Sequence, residues 1–422
     1  MIEESQRIST GPLTCVADVL DAVRERVNPV GRPAAIVFNS HITGLAVARS
    51  LGRRGIPIIA LDRDPTGYAI ASKYTTVAGL CPNVLADEDA FINYLLELGA
   101  ALDQRGVLFP TNDEWVLAVN RHRSELERFY RVPFSGPDIV EPVLDKIRLY
   151  RTAVELDIPI PNTWYPGETD VADLAASLPY PCILKPAEQR SFYDEFGDKA
   201  WVVESPDVLQ SELRRAAGHQ LVAQEIVGQG LTDFYSVCSY IGEDGEAHGV
   251  FVGRKLEQYP ANFGTGCLVS AERIPEIAEQ GVAILKAFGY HGISEVEFIY
   301  DERTGQHKLL DINTRVWKWI GLPIAAGIDL PWLAYADATG VPETTTQTHG
   351  DLFWIYAKDY TALRLEGLGG GTTAVVSEST WVDVLTGNHE RVIDAVIDLD
   401  DPRPAARMIQ GLFNPSPYFC AC

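Results

Sequence analysis

The sequence predicts an α/β fold near the N-terminus and an α+β fold in the middle of the chain. Two apolar, strand-like runs, Ala34–Phe38 and Ile56–Leu61, flank a segment whose apolar residues recur at helical spacing from Ile42 to Leu51. This β-α-β order predicts a parallel, Rossmann-like sheet, although the G-x-G-x-x-G dinucleotide fingerprint is absent. Beyond residue 180, short apolar runs follow one another with few helices between them, which is typical of antiparallel hairpins.

The composition is that of a globular protein with a large excess of acidic residues. The 422 residues include 58 Asp and Glu but 35 Lys and Arg, which gives a formal net charge of -23. Such a field repels nucleic acid and anionic lipid, so we expect neither nucleic acid nor a membrane as a partner. The seven cysteines are dispersed, and Met1–Thr10 has no apolar signal region. These features predict a cytoplasmic protein with reduced thiols.

A third strand of the N-terminal sheet is predicted at Gly106–Pro110, followed by a helix from Trp115. The polar segment Thr111–Glu114 lies between them, where a parallel sheet usually meets its ligands. The alternative is a helix cap formed by Asn112 or Asp113. The residues alone leave both interpretations open.

A new domain is predicted to begin near Pro159–Pro161, after a helix over Val143–Leu156. The elements expected after this linker are strands at Cys182–Leu184, Trp201–Val203, Leu221–Ala223, Tyr235–Ile241 and Gly249–Val252, and helices at Asp207–Ala217 and Pro275–Phe288. Two further strands are predicted at Phe353–Ala357 and Thr373–Val376, separated by the flexible segment Gly369–Gly371.

The strongest chemical signal is a predicted hairpin whose two strands carry carboxylates. Glu295 and Glu297 share one face of the first strand, because side chains alternate along a strand. For the same reason Asp311, Asn313 and Arg315 share one face of the second strand. Hard oxygen ligands at one point suit Mg2+, and a neighbouring arginine suits phosphoryl oxygens. The alternative, also open, is the solvated polar face of an ordinary hairpin.

Three further features favour a phosphate-binding role for this region. Lys185 ends an apolar strand, where its ammonium group can reach a phosphate, and Lys146 lies near the start of a helix. The segment from Gln224 to Gly230 follows another buried strand and resembles a hinge between subdomains. A single lysine is usually only solvated, but this ordered combination with the hairpin is hard to obtain by chance.

With these motifs, the chain from about Ala34 to Leu333 resembles the ATP-grasp ligase superfamily. The resemblance implies a Rossmann-like pre-ATP-grasp domain followed by a two-lobed ATP-grasp domain. The positions that match, with the implied roles, are Lys146 and Lys185 for the nucleotide phosphates, Glu225, Ile226 and Val227 for the adenine, Asp233 for the ribose, Glu297, Asp311 and Asn313 for the metal, and Arg315 for the transferred phosphoryl group.

The resemblance also implies a domain plan and a subfamily. The expected parts are an N-terminal arm at 1–30, the pre-ATP-grasp domain at 31–140, the ATP-grasp domain at 141–345 with a lid subdomain at about 180–228, and a C-terminal extension at 346–422 with a flexible tail. The segments Asn313–Trp319 and Ala326–Pro331 look most like those of carboxylate–amine ligases related to D-aspartate ligase.

Two segments depart from the superfamily pattern or stay ambiguous. The loop after the second lysine is usually rich in glycine, whereas Ala187–Lys199 is bulky and charged, so Arg190 or Lys199 is considered as a substitute for phosphate cradling by the backbone. Arg254 and Lys255 follow a predicted strand. Arg254 is a candidate catalytic cation if the pair faces the cleft, and the alternative is an exposed basic pair.

The implied activity is amide formation in two steps, through an acyl phosphate, with ATP and Mg2+ (or Mn2+ as an alternative) as cofactors and a small acid and amine as substrates. The enzyme's part is mainly positioning and charge neutralisation. A carboxylase or kinase that forms no amide, and a degenerate nucleotide-binding module, are the alternatives. A homodimer is compatible with the sequence.

Overall fold

The computed structural model describes residues 11–228, 233–342, 352–366 and 392–413, which form two compact units. The first unit contains residues 11–134, 315–342, 352–357 and 392–413, and the second contains 135–228, 233–314 and 358–366. No helix within these ranges is long and apolar enough to cross a membrane. No disulfide joins the cysteines of the same ranges.

The elements are numbered here in chain order. The strands are β1 Ala35–Phe38, β2 Ile58–Asp62, β3 Val77–Leu80, β4 Gly106–Phe109, β5 Tyr130–Arg131, β6 Thr163–Trp164, β7 Cys182–Pro186, β8 Trp201–Val203, β9 Leu221–Glu225, β10 Phe234–Ile241, β11 Ala247–Tyr259, β12 Thr265–Glu272, β13 Gly292–Asp301, β14 Gln306–Asn313, β15 Phe353–Ile355 and β16 Val392–Asp394. The helices are α1 Val16–Ala22, α2 Ile42–Gly52, α3 Tyr68–Ala71, α4 Glu88–Ala100, α5 Asp113–Arg121, α6 Arg123–Leu126, α7 Pro137–Leu144, α8 Lys146–Glu155, α9 Val171–Ser177, α10 Gln189–Phe196, α11 Pro206–Arg215, α12 Pro275–Ala287, α13 Gly321–Ala325, α14 Leu330–Thr339, α15 Ala357–Leu365 and α16 Arg403–Phe413.

The first unit is built on a five-stranded parallel sheet in the order β3-β2-β1-β4-β5. All residues of β1, β2 and β4 are buried. A sheet covered on both faces explains why these strands are almost continuous apolar runs in the sequence. The predicted α/β class of the N-terminal part is therefore confirmed.

The second unit contains two antiparallel sheets, which confirms the predicted α+β class. One has the order β6-β9-β7-β8, and in the other β10 to β14 are ordered β14-β13-β10-β11-β12. Helix α12 packs closely on the second of these sheets at Gly281, where an added Cβ would lie 2.6 Å from the Cβ of Val237. The hairpin predicted around Asp301–Gly305 is present as β13 and β14.

Two predicted elements of the second unit differ from the structure. The single helix expected at Val143–Leu156 is two helices, because Asp145 is extended (φ -84°, ψ 113°) and its side chain caps α8 at the Arg148 N–H. The segment expected to be a loop, Ala187–Lys199, contains α10, whose first N–H groups are capped by Glu188. Phe192 of α10 is buried against Trp201 at a ring distance of 4.6 Å, which fixes the helix.

Four predicted features fall wholly or partly outside the described residues. They are the N-terminal arm, of which residues 1–10 are not described, the segment Gly369–Gly371, the strand Thr373–Val376 and the tail that holds Cys420 and Cys422. The strand expected at Phe353–Ala357 is present as β15 and pairs with β16 in parallel. The domain boundaries at 30, 140 and 345 stay predictions.

A buried ion pair ties α2 to the C-terminal part of the first unit. Arg49 donates from Nε to Asp401 Oδ2 at 3.0 Å, and from one terminal nitrogen to the carbonyl oxygens of Val396 and Asp401. Asp401 also accepts hydrogen bonds from the Ser72 hydroxyl group at 2.7 Å and the Lys73 N–H at 2.9 Å. Asp398 is a second, more distant partner of Arg49, at 3.9 Å, so among the described residues Asp401 is the nearer of two carboxylates that balance this buried charge.

We expect Asp401→Ala to lower the free energy of unfolding of the first unit by about 3 kcal/mol, because it removes the nearest partner of the buried Arg49 charge and leaves the more distant Asp398, at 3.9 Å. The measurement is the thermal or urea unfolding midpoint. The matched control is Asp21→Ala, which removes an exposed ion pair with Arg24 and should change the midpoint little. Equal midpoints for the two variants would contradict the proposed importance of this pair.

Candidate functional site

The acidic side chains of β13 and β14 meet on one face of the second unit's five-stranded sheet. In the strand register, Glu297 lies opposite Asp311 and Glu295 lies opposite Asn313. The side-chain amide of Asn313 donates to Glu295 Oε2 at 2.9 Å and to Glu297 Oε1 at 3.0 Å. The structure therefore brings together the three predicted metal ligands, Glu297, Asp311 and Asn313.

A bulge shapes this face of the hairpin. Phe298 pairs with Leu309 while Glu297 pairs with Asp311, so Leu310 is an extra residue on β14. Such a residue is left out of the ladder and changes which face the following side chains take. Its carbonyl oxygen accepts a hydrogen bond from the Tyr150 hydroxyl group at 2.7 Å, so α8 contacts the bulge directly.

Lys146 is paired with this acidic group. Its Nζ lies 2.6 Å from Asp311 Oδ2. The break at Asp145 starts α8 at Lys146, so the extended residue before it sets the direction of this side chain. Burial acts to raise the pKa of Asp311, but the charges of Lys146 and Lys185 and the Lys146 hydrogen bond lower it below the ordinary value. Asp311 is therefore held as a carboxylate.

Lys185 projects from β7 toward the same group and is partly buried. Its ammonium group lies 4.8 Å from the centre of the Tyr150 ring and donates a hydrogen bond to the Tyr150 hydroxyl group. Burial lowers the pKa of Lys185 to about 7, and the nearby charge of Lys146 adds to this effect, against the attraction of Asp311 and Glu297. The two predicted phosphate lysines thus lie close enough to influence each other.

The donor set fits Mg2+ that arrives together with a phosphate. In the parts of the chain that the structure describes, no three His, Cys, Asp or Glu side chains are placed to hold a metal ion on their own. Mg2+ usually takes one or two carboxylates and completes its octahedron with waters and substrate phosphates. Glu297 and Asp311 are the two carboxylates that could hold such an ion, and Lys146 and Lys185 are the cations that would lie near its phosphates.

The predicted hinge, Gln224–Gly230, begins with the last two residues of β9, and the structure describes it as far as Gly228. The Glu225 carboxylate accepts hydrogen bonds from the Asn162 N–H and from Lys308, each at 3.0 Å. Ile226 is exposed (39%) and Val227 is half-buried. Gly228 has φ +85°, and a Cβ built on it would lie 3.2 Å from Asp233 Oδ2. The predicted ribose carboxylate therefore lies beside the hinge.

The structure does not place Arg254 beside the carboxylates of Glu297 and Asp311. It pairs in register with Tyr235 and lies over that ring at 5.2 Å. Tyr235 and Val237 share the face that α12 covers, whereas Ser236 lies opposite Glu297 on the other face. Arg254 was predicted to face the cleft, but this register puts it on the opposite face of the sheet from Glu297.

Lys255 takes the position that was predicted for Arg254. It is the next residue on β11, so its side chain points to the opposite face from Arg254. Its Nζ lies 4.1 Å from the centre of the Phe234 ring. Burial lowers the pKa of Lys255, while the charges of Glu297 and Glu295 act to raise it, which places Lys255 within their electrostatic reach.

Arg315 lies beyond the end of β14, which stops at Asn313. The prediction that it shares a strand face with Asp311 is therefore wrong. It belongs to the first unit, where its guanidinium group pairs with both carboxylate oxygens of Asp113, at 2.6 and 3.3 Å. Asn112, predicted as either a ligand or a cap, makes no side-chain cap for α5 and instead accepts a hydrogen bond from Asn39 at 2.8 Å.

The sequence interpretation gave no role to Tyr150, although it lies under Lys185. Tyr150 comes four residues after Lys146 on α8, and residues at that spacing share one side of a helix. The spacing from Lys146 could therefore have identified Tyr150 from the sequence. The sequence could not show that Lys255, and not Arg254, lies on the face of Glu297, because this depends on which residues pair across β10 and β11.

Comparison with known proteins agrees with this geometry. Residues 251–338, which include the β13–β14 hairpin, match the family model described as "Carbamoyl-phosphate synthase L chain, ATP binding domain". Among curated proteins, the chain is similar to the D-aspartate ligase of Enterococcus faecium (strain Aus0004), with 24% identity over 269 residues. That match covers 60% of this chain and 62% of the relative, so the chain spans less than two thirds of the relative's length.

Solved structures of the same fold include a carboxyaminoimidazole synthetase and an amino acid ligase. The N5-carboxyaminoimidazole synthetase from Staphylococcus aureus complexed with ADP has a TM-score of 0.60 and 17% identity, covering 79% of this chain and 85% of that one. The L-amino acid ligase from Bacillus licheniformis has a TM-score of 0.55 and 14% identity, covering 75% of each chain. The family match and the fold shared with these structures agree, and the chain belongs to the ATP-grasp superfamily.

Proposed function

We propose that the chain is an ATP-dependent ligase that joins a carboxylate, an amino acid or other small acid, to an amine. The observation that supports this most directly is the grouping of Lys146 and Lys185 with Glu297, Asp311 and Asn313 on one face of the second unit. Two cations beside two carboxylates and an amide suit a nucleotide triphosphate with its metal. We propose that the enzyme acts in the cytoplasm.

The proposed reaction has two steps. The substrate carboxylate attacks the γ-phosphorus of ATP, which gives an acyl phosphate and ADP. The amine then attacks the acyl carbon, and the tetrahedral intermediate expels phosphate and leaves an amide. Neither step needs a nucleophilic side chain, so positioning and charge neutralisation account for catalysis.

Each grouped residue has a distinct part in this proposal. Glu297, Asp311 and Asn313 would hold Mg2+, which when bound supplies positive charge to the phosphates. Lys146 and Lys185 bind phosphate oxygens as point charges. Lys255 takes the part assigned from sequence to Arg254, because it lies on the same sheet face as Glu297. Arg315 keeps its proposed role toward the phosphoryl group on the sequence resemblance alone.

The relatives favour a ligase with an amino acid substrate over the alternatives. A D-aspartate ligase and an L-amino acid ligase are both among them. The carboxyaminoimidazole synthetase shares the fold, with a TM-score of 0.60, and a carboxylase or kinase that forms no amide stays the second candidate. The two candidates differ in their products beside ADP, which makes them separable by mass spectrometry.

We expect release of ADP only when Mg2+, ATP, an acid and an amine are all present. Amino acids offered two at a time provide the panel, and coupled ADP detection with mass spectrometry of the product provides the measurement. Excess chelator should abolish ADP release, because the phosphate charge is then left unneutralised. Full activity in chelator would contradict the metal site, and a carboxylated or phosphorylated product without an amide would favour the second candidate.

We expect Asp311→Asn to lower turnover by about two orders of magnitude or more, with a much smaller change in ATP affinity. The substitution keeps the side-chain shape but removes a charge that matters most as phosphoryl charge develops. Steady-state kinetics and nucleotide titration on a folded variant are the measurements. The control is Glu243→Gln, an exposed residue of the same unit. Wild-type turnover in folded Asp311→Asn would contradict the catalytic role and favour the alternative, in which these residues form the solvated polar face of an ordinary hairpin.

The depressed pKa of Lys185 predicts proton uptake on nucleotide binding. With a pKa of about 7 in the free protein, Lys185 is mostly neutral at pH 8. A phosphate favours the ammonium form and raises this pKa, so binding at pH 8 takes up protons. Affinity should therefore be highest below pH 7 and fall as the pH rises above 7.

The measurement is calorimetry of MgADP binding at pH 8 in buffers of different ionisation enthalpy. At that pH the nucleotide's own phosphates are already deprotonated. Lys185→Met serves as the control, because it keeps the apolar stem and loses the titrating group. Equal proton uptake by wild type and Lys185→Met would show that Lys185 is not the group that titrates.

A further inference from the structure

Tyr150 is a buried side chain of α8 that contacts both antiparallel sheets of the second unit. Its hydroxyl group donates a hydrogen bond to the carbonyl oxygen of Leu310 at 2.7 Å, at the bulge of β14. The same hydroxyl group accepts a hydrogen bond from the ammonium group of Lys185 on β7, and the Tyr150 ring lies 4.8 Å from that nitrogen. One tyrosine thus joins the strand that carries Lys185 to the strand that carries Asp311.

The direction of the two hydrogen bonds follows from what each group can do. An ammonium group has three donors and no acceptor, and a tyrosine hydroxyl group has one hydrogen. Tyr150 gives that hydrogen to Leu310, so its oxygen is the acceptor for Lys185. Burial raises the pKa of Tyr150 well above its ordinary value, so the hydroxyl group stays protonated. Tyr150 is therefore a neutral partner for the lysine.

Strand alternation explains why Lys185 meets Tyr150. Leu184 and Ala223 pair across β7 and β9, and both belong to the buried apolar cluster on one face of this sheet. Lys185 and its partner Val222 are the next pair along the two strands and lie outside that cluster. Lys185 therefore points to the opposite face, where α8 places the Tyr150 ring.

The two lysines of the proposed nucleotide site have different partners. Lys146 forms an ion pair with Asp311 at 2.6 Å. In the described parts of the chain, no carboxylate lies within ion-pair distance of Lys185, whose hydrogen-bond partner is Tyr150. Because that partner is neutral and takes one of three donors, a phosphate can bind Lys185 without displacing a carboxylate.

We propose that Tyr150 is a positioning residue for phosphate binding and acts through Lys185. Its oxygen is fixed to Leu310, which directly precedes Asp311, so Tyr150 holds the ammonium group at a set place relative to that carboxylate. The ring supports the same ammonium group by a cation–π contact. This inference rests on the nucleotide site proposed above and adds the residue that orients one of its two lysines.

The test is a double-mutant cycle on MgADP binding, measured by calorimetric titration into the full chain. We expect Tyr150→Phe, which keeps the ring and loses the hydroxyl group, to weaken binding about tenfold, since a charge-assisted hydrogen bond no longer holds the lysine. In a Lys185→Met background the same substitution should change the dissociation constant less than about twofold, because the group through which Tyr150 acts is gone.

The matched control is Tyr290→Phe. Tyr290 is buried in the same unit and donates its hydroxyl hydrogen to the carbonyl oxygen of Ile293, also at 2.7 Å. Among the described residues, no lysine donates to this hydroxyl group. The control thus loses the same kind of buried hydrogen bond without touching the site, and it should bind MgADP as the wild type does.

A merely structural role for Tyr150 gives a different result. A loosened fold would weaken MgADP binding by the same factor whether or not Lys185 is present. Equal losses in the two backgrounds would therefore overturn the proposal, and so would wild-type affinity in folded Tyr150→Phe. If Tyr150→Phe does not fold in a thermal melt, Tyr150→His takes its place, because the cycle judges only the coupling to Lys185.

Adenosine provides a second measurement if Lys185→Met binds MgADP too weakly to titrate. Adenosine has no phosphate, so its binding should not depend on the position of Lys185. The ratio of the MgADP dissociation constant to that of adenosine should rise about tenfold in Tyr150→Phe, and an unchanged ratio would overturn the proposal. A wild-type chain that binds no MgADP would instead contradict the proposed function itself.

Discussion

The register of the β13–β14 hairpin is the constraint on which the whole candidate site depends. Glu297 faces Asp311, and Glu295 faces Asn313, only in this register, and a slip of one residue would turn the β14 members to the opposite face. The bulge adds a second condition, because it brings Lys308 to the side of the sheet that carries Asp311. The bulge thus puts Lys308, which forms an ion pair with Glu225, on the same face of the sheet as the carboxylates of Glu297 and Asp311.

Charge balance is local in this strongly acidic chain. The formal net charge is -23, yet the acidic group on β13 and β14 lies beside Lys146, Lys185 and Lys255. In the free protein Lys146 forms an ion pair with Asp311. Burial lowers the pKa of Lys185 to about 7, so only part of it is charged at neutral pH. A bound phosphate with a divalent cation would satisfy both kinds of charge at once: Glu297 and Asp311 would hold the cation, and Lys146 and Lys185 would lie near the phosphate.

The sequence was informative about which residues the structure groups together where this follows from the ends of elements, as for Lys146 and Lys185, and from strand alternation, as for Glu297, Asp311 and Asn313. It was uninformative where the outcome depends on pairing between distant segments. Arg254 and Lys255 are adjacent, and only the register with β10 decides which of them lies on the face of Glu297. The prediction that Arg315 shares a strand face with Asp311 was wrong for a related reason, since alternation holds only to the end of the strand at Asn313. The helix α10 depends on burial of Phe192, which composition alone did not reveal.

The contact between Arg49 and Asp401 has a consequence for how the chain folds during its synthesis on the ribosome. These partners are 352 residues apart, and the first unit draws on three stretches of chain separated by the second. At 5–20 residues per second, tens of seconds pass between synthesis of α2 and arrival of its partner. Domains usually fold from the N-terminus onward during synthesis. Here the second unit is complete before the first, because the first includes the later residues. Arg49, which is buried in the folded protein, therefore stays exposed to solvent until Asp401 has been synthesised.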